Sequence, residues 1–370
     1  MKLSIPDTIA AITPYPPGKP IEELEREYGI HNSIKLASNE NPLGPSPLAV
    51  AAMGEALANL HRYPDGSGYY LVRAIAEHYD VEPEQVVLGN GSNEIIEFLV
   101  KAFVEPGDEV ITSHPSFLMY QKFVQVRGGI NHVVALADMA HDLAAIADRA
   151  GDRTKLIFLD NPNNPTGSYL PQHRLLDFLD RLPEHVLVVL DEAYVDFMDE
   201  ALKIDIGSLL PAHTGRCGVV SLRTFSKAYG LAGVRIGFGL MAAEIAACLH
   251  KVRQPFNVNQ LALVGARAAL QDDRFYRETL QVTAEGKKTL MAGVERLGCR
   301  SFPSQTNFFL IDVRGDATTL YEAMLRHGVI VRSMKAYGYP HYIRINVGTE
   351  HENGRFLETL QRCLTECGYV

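Results

Sequence analysis

Between residues 70 and 250, short and uniformly apolar runs alternate with amphipathic stretches of helical period. Gln85-Val-Val-Leu88, Glu109-Val-Ile-Thr112, Lys155-Leu-Ile-Phe-Leu-Asp160, His185-Val-Leu-Val-Val-Leu190, Gly218-Val-Val-Ser-Leu222 and Val234-Arg-Ile-Gly-Phe238 read as strands, with helices near 94–104, 116–126 and 172–181. A strand with one wet face alternates polar and apolar residues. These runs do not, so both of their faces are buried. That pattern calls for an α/β fold in which a mostly parallel sheet lies between helices. Ligands of such sheets gather at the carboxyl ends of the strands, so the residues that follow each run bear on function.

Beyond about residue 255 the pattern changes to long helices, 260–271 and 273–297, followed by a smaller α+β unit. Its strands are expected at Asn307-Phe-Phe-Leu-Ile311, Val329-Ile-Val-Arg332 and Tyr342-Ile-Arg-Ile-Asn-Val347, with helices at 318–326 and 352–367. The first forty residues are rich in proline and carry an acidic helix over 21–28. The expected organisation is an arm (1–40) packing on the small domain or a partner subunit, a large domain (41–260) and a small domain (261–370). A chain of 370 residues is too long for one small core, and this one has 46% hydrophobic and 21% charged residues, as ordinary soluble proteins do.

A formal net charge of -9 argues against a nucleic-acid surface. No run is long and apolar enough to span a membrane and the N-terminus lacks a signal core, so the expected location is the cytoplasm. The five cysteines, Cys217, Cys248, Cys299, Cys363 and Cys367, are odd in number and scattered, which fits reduced thiols. Thirteen histidines include no His-x-x-x-His pair with an acidic partner, so no metal is expected. Gly286-Lys-Lys-Thr lacks the upstream glycine of a nucleotide-binding loop.

Lys227 stands in a polar turn between two expected strands, in Thr224-Phe-Ser-Lys227, with Arg235 eight residues on. Apolar walls disfavour an ammonium and favour the free amine that a Schiff base needs. Thr224, Ser226 and Arg235 offer donors to a phosphate beside that amine. Lysine and phosphate site together point to pyridoxal phosphate.

Other loops extend the set. Gly89-Asn-Gly-Ser-Asn-Glu94 leaves a strand and enters a helix, where free amides bind anions; Ser92 or Asn93 could equally be a plain N-cap. In Asp160-Asn-Pro-Asn-Asn-Pro-Thr-Gly167 the Asn164 side chain can donate to an oxygen, although the segment also reads as a turn. Asp191, at the end of an apolar strand, needs a positive partner, and a protonated pyridine nitrogen is one; Tyr194 could reach the ring's phenolic oxygen. A capping aspartate with a packed tyrosine is the alternative. Phe117 could lie flat on the ring, and Tyr63 could donate to the phosphate. Arg332 and Arg344, at strand ends of the small unit, suit a carboxylate or phosphate, or else surface salt bridges.

With Pro14-Tyr15, Leu36-Ala-Ser-Asn-Glu-Asn-Pro-Leu-Gly-Pro45, Tyr63-Pro64, Asn161-Pro-Asn-Asn-Pro-Thr-Gly167, Asp191-Glu-Ala-Tyr194, Thr224-Phe-Ser-Lys227, Arg235 and Tyr342-Ile-Arg-Ile-Asn-Val-Gly348 in this order, nearly the whole chain resembles the fold-type I aminotransferases. Within them it is most similar to the histidinol-phosphate aminotransferases. The resemblance implies a seven-stranded, mostly parallel sheet with a smaller α+β domain, and pyridoxal 5′-phosphate as cofactor. It implies that Lys227 anchors the cofactor, Asp191 pairs with its ring nitrogen, and Asn164 and Tyr194 hold its ring oxygen. Ser92, Asn93, Thr224, Ser226 and Arg235 would hold the phosphate. It further implies a homodimer in which Tyr63 reaches the neighbour's cofactor, and a substrate anion site of Arg344, Arg332, Tyr15 and Asn39. The stacking position is often tyrosine in relatives and is Phe117 here, which leaves room for an aromatic or broad-range aminotransferase or a phosphothreonine-type decarboxylase. A regulator built on this fold would carry a DNA-binding domain ahead of it, and only about forty residues precede the motifs.

Overall fold

The computed structural model describes residues 4–14, 18–210 and 217–369. Its centre is a seven-stranded sheet of β1 (Val86–Gly89), β2 (Glu109–His114), β3 (Ile130–Ala135), β4 (Thr154–Asp160), β5 (Leu187–Asp191), β6 (Gly218–Thr224) and β7 (Gly237–Met241). The strand order is β1-β7-β6-β5-β4-β2-β3. Every pairing is parallel except those of β7 with β1 and β6, so the sheet is mixed but mostly parallel, as the unalternated apolar runs require. Successive side chains leave a strand on opposite faces. Val188, Leu190 and Ile157 therefore join one apolar layer, with Ile75 and Phe178, while Val189, Phe158 and Val220 join the other, with Ile95 and Leu99.

The register matters for the site. Asp160 lies beside Asp191, Asp191 beside Leu222, and Thr224 beside Gly237, so the carboxyl ends of β4, β5 and β6 finish together. Helix Ser92–Phe103 starts directly after β1 and aims its N-terminus at the same edge.

A second, four-stranded antiparallel sheet includes Phe308–Asp312 and Tyr342–Asn346 and has its own core around Phe309, Met324, Ile345 and Phe356. The acidic helix Ile21–Tyr28 forms as expected, and its one buried residue, Leu24, packs with Ala37, Leu325 and Ile330.

Three readings differ from the observed chain. β3 was not expected: it is an edge strand with most side chains exposed or half-buried, so it lacks the apolar run that marks its neighbours. Val234 belongs to a 3₁₀ turn, and β7 starts at Gly237. The run Val329–Arg332 divides: Val329–Ile330 pairs parallel with Ile34–Lys35, whereas Arg332–Ser333 joins the four-stranded sheet. No helix among the described residues is long and apolar enough to cross a membrane.

The turn that carries Lys227 closes through Gly230, whose N–H donates to the Lys227 carbonyl at 3.1 Å. Gly230 has φ +70°, and a Cβ there would sit 2.0 Å from the Gly44 carbonyl oxygen. That oxygen and Pro45 Cα, 2.8 Å from the same point, are backbone atoms and cannot turn aside. Gly230→Ala should lower unfolding stability by ~1–3 kcal/mol in denaturant titration; an unchanged midpoint would show that this turn is not under steric constraint.

Candidate active site

At the carboxyl edge of β4, β5 and β6 lies a cavity of about 360 Å³. Asp191, Tyr194, Thr224, Ser226, Lys227, Arg235, Ser92, Asn93, Asn164 and Phe117 all line it, so the structure brings together most of the residues singled out in the sequence.

Asp191 ends β5 and is buried. Its Oδ2 accepts from the Tyr120 hydroxyl at 2.8 Å and its Oδ1 from the Ala193 amide at 3.2 Å. Burial pushes its pKa up to about 7 against these two hydrogen bonds, and the neighbouring Asp160 adds to the rise. Lys227 Nζ donates to the Ser38 carbonyl at 3.2 Å and lies 5.6 Å from the centre of the Tyr194 ring. Burial first, and then the positive charge of Arg344, bring its pKa down to about 8.

The phosphate side is a cradle of backbone. Gly91 has φ +79°, and a Cβ on it would strike Arg235 Nη2 at 2.5 Å. A Cβ on Gly237 would come within 2.3 Å of the Ser92 amide nitrogen. Both glycines therefore let the helix N-terminus and the Arg235 guanidinium close in on one spot. Arg235 itself holds a left-handed backbone, φ +61°. The Thr224 hydroxyl accepts from the Ser226 amide at 3.0 Å and shapes the turn into Lys227.

The small unit contributes Arg344, which is buried. Its Nη1 donates to Asn164 Oδ1 at 2.5 Å and its Nη2 to the Ala37 carbonyl at 3.0 Å. Asn39 Nδ2 donates to the Tyr194 hydroxyl at 2.9 Å, while burial raises the Tyr194 pKa to about 12. Arg332 does not reach this cavity: it lines an adjoining one with Lys19 and Tyr321. Tyr63 is 84% exposed, away from the cavity, stacked on Phe256 at 4.9 Å. Tyr15 lies outside the described residues.

Sequence reasoning missed Tyr120 and Asp160. Tyr120 is one helical turn beyond Phe117, packs edge-on to it at 5.4 Å and stacks on Phe158 at 4.7 Å. An acid at a strand end wants a donor, and that spacing was the available signal. Asp160 is bound by Ser116 Oγ, Asn163 Nδ2 and the Asn164 amide.

The pattern of the family Aminotransferase class I and II matches residues 31–360. The chain belongs to the class I and II aminotransferases. It is 65% identical over 370 residues to the histidinol-phosphate aminotransferase of Desulfotalea psychrophila, covering 100% of this chain and 98% of that one. It is 44% identical over 358 residues to histidinol-phosphate aminotransferase 1 of Nitrosococcus oceani, covering 97% and 96%. The crystal structure of histidinol-phosphate aminotransferase from Sinorhizobium meliloti in complex with pyridoxal-5′-phosphate superposes with a TM-score of 0.89 at 29% identity, covering 98% of both chains.

An aminotransferase of this family works with pyridoxal 5′-phosphate, and the cavity of this chain fits that group. The cradle between Gly91 and Gly237, beside the Arg235 guanidinium, is kept open by missing side chains, and Asp191 is an acid without a cationic partner among the described residues. Because the folded pKa of Asp191 exceeds its unfolded value of 3.8, its contribution to stability is fully present below about pH 4 and is lost as pH rises through about 7. In the cofactor-free protein, Asp191→Asn should therefore raise the melting temperature at pH 8, with the gain vanishing toward pH 4. Equal melting of the two proteins at pH 8 would refute a strained acid at this position.

Proposed function

We propose that this aminotransferase moves the amino group between histidinol phosphate and 2-oxoglutarate, giving imidazole acetol phosphate and glutamate, and that in the cell it runs in reverse for histidine biosynthesis. The full-length likeness to histidinol-phosphate aminotransferases carries this reading, and the buried Arg344 guanidinium, whose charge reaches Lys227, supports it.

Bound pyridoxal 5′-phosphate supplies an aldehyde carbon that takes the amino group and an electron-withdrawing ring that makes the substrate's Cα proton acidic. The chain's own residues do the rest. Ser92, Asn93, Thr224, Ser226 and Arg235 hold the phosphate. Asp191 keeps the proton on the ring nitrogen, with Tyr120 fixing its carboxylate. Asn164 and Tyr194 would hold the ring oxygen, and Phe117 would cover the ring. Lys227 would anchor the cofactor and, once free, take the Cα proton on Nζ; its depressed pKa brings the free amine nearer to neutral pH than in an ordinary lysine. Arg344, with Asn39 beside it, receives the phosphate of one substrate and a carboxylate of the other, whereas Arg332, which lines a separate cavity, takes no part in this reading.

The test is the visible spectrum of the holoenzyme on addition of histidinol phosphate, phenylalanine or phosphothreonine. Loss of the bound-cofactor band at far lower histidinol phosphate than phenylalanine is expected, without carbon dioxide. A preference for phenylalanine would move the assignment to the aromatic group, and carbon dioxide from phosphothreonine would make it a decarboxylase. Lys227→Ala should bind cofactor yet lose turnover by several powers of ten.

We further infer a homodimer working in the cytoplasm. Tyr63 and Phe256 expose a stacked aromatic pair, and Leu57, Leu60, Tyr69 and Tyr70 are exposed too. An apolar area of this kind favours a partner surface, and a partner would let Tyr63 reach the neighbouring cofactor's phosphate. Sedimentation should give a dimer mass, and Tyr63→Ala should weaken cofactor binding about tenfold; a monomer that retains full activity would exclude the shared site.

A further inference from the structure

On the face of β6 opposite Thr224 lies a buried polar cluster that the reaction does not use. Glu192, 1% exposed, follows Asp191, and Arg223 precedes Thr224. Glu192 Oε2 accepts from Arg223 Nε at 3.2 Å, from Arg223 Nη2 at 3.0 Å and from the Ser221 hydroxyl. The Arg223 guanidinium stands 5.0 Å from the centre of the Tyr79 ring. Glu192 Oε1 is buried without a hydrogen-bond partner. Asp196 is half-buried nearby, bonded to the Tyr276 hydroxyl at 2.9 Å, and is held above its usual range by desolvation against the pull of Arg223.

A buried ion pair with an unsatisfied oxygen is a poor stabilising device, since an apolar pair of the same size serves as well or better. Its location gives it another use. The ladder between β5 and β6 ends at Asp191 and Leu222; beyond it, the Glu192 amide donates to the Leu222 carbonyl at 2.9 Å. Past that point the two chains diverge, one into Ala193 and Tyr194, the other into Thr224, Ser226 and Lys227. The Glu192–Arg223 fork is a side-chain tie across the divergence.

We propose that Glu192, Arg223 and Ser221 are positioning residues of the cofactor site, which fix the spacing between the ring-nitrogen acid Asp191 and the phosphate and amine groups at Thr224, Ser226 and Lys227. The proposal rests on the cofactor reading above. The cofactor is rigid, so a shift of the ring-nitrogen partner relative to the phosphate cradle costs binding at one end or the other.

The test uses the full-length protein, stripped of cofactor and titrated with pyridoxal 5′-phosphate, with melting followed in both states. Glu192→Gln/Arg223→Met removes both charges while keeping an acceptor for Ser221. Its cofactor-free form should melt near the parent, because the Glu192 carboxylate is removed together with its counter-ion and Asp196 keeps the Tyr276 hydroxyl. Its dissociation constant should rise at least tenfold, with a matching loss of the holo-minus-apo melting difference. Affinity within twofold of the parent and an undiminished difference would overturn the proposal, leaving the pair a structural element only. Should the double variant fail to fold, Arg223→Lys keeps the charge and removes the fork. Weaker binding by fivefold or more, with an unchanged cofactor-free melt, is expected there, and parental affinity would again overturn the proposal. A parent that binds no pyridoxal 5′-phosphate would instead sink the cofactor reading.

Discussion

Asp191 is a buried acid with acceptor capacity to spare, and the arrangement around it depends on that shortage of donors. Three carboxylates crowd the ends of β4 and β5, and each meets different company. Asp160 is saturated by Ser116, Asn163 and the Asn164 amide, with His141 Nε2 at 3.2 Å. Glu192 is tied to Arg223. Asp191 has one hydroxyl and one amide. A low-dielectric site raises the cost of each unpaired negative charge. The cheapest relief is a cation delivered to Asp191, and a protonated ring nitrogen meets that need without any side chain having to supply it.

The positive half of the cavity is built on the opposite logic. Arg344 comes from a strand of the small sheet but bonds to Asn164 of the large unit and to the Ala37 carbonyl of the N-terminal segment. One guanidinium thus joins three stretches of chain and also depresses the Lys227 amine. An incoming anion that engages Arg344 alters the field felt by Lys227, because partial neutralisation of the guanidinium removes a force that disfavours the ammonium. On the roles proposed for Arg344 and Lys227, substrate recognition and the proton affinity of the base would be coupled through this charge.

Much of this was legible in the sequence wherever burial on both faces left an apolar run. β1, β2, β4, β5 and β6 announced themselves, and the residues after them line the cavity. β3 did not, because an edge strand with wet side chains resembles a loop. Tyr120 did not, because its value lies in a hydroxyl that meets Asp191 across 71 positions of sequence, and no local pattern encodes that contact. Val329–Arg332 looked like one strand, since an apolar run does not say which sheet its two ends will join. Arg332 and Tyr63 were visible as residue types, but one lines another cavity and the other stands exposed on Phe256, outside the cavity of its own chain.

Composition placed the change of unit at 260/261, whereas packing argues for a later passage. Helix Gln260–Ala269 buries Ala262, Ala266 and Ala269 in the layer of the large sheet, against helix Pro47–Ala56. The next helix, Asp273–Arg296, is capped by Asp272, which also accepts from Ser46 at 2.6 Å. Its far end buries Leu290 and Val294 in the small core. We therefore place the passage between units inside this 24-residue helix. A continuous helix bends little without a proline or an inserted side chain. The two units are thus joined by one helix rooted in both cores and, beside the cavity, by the bond from Arg344 to Asn164.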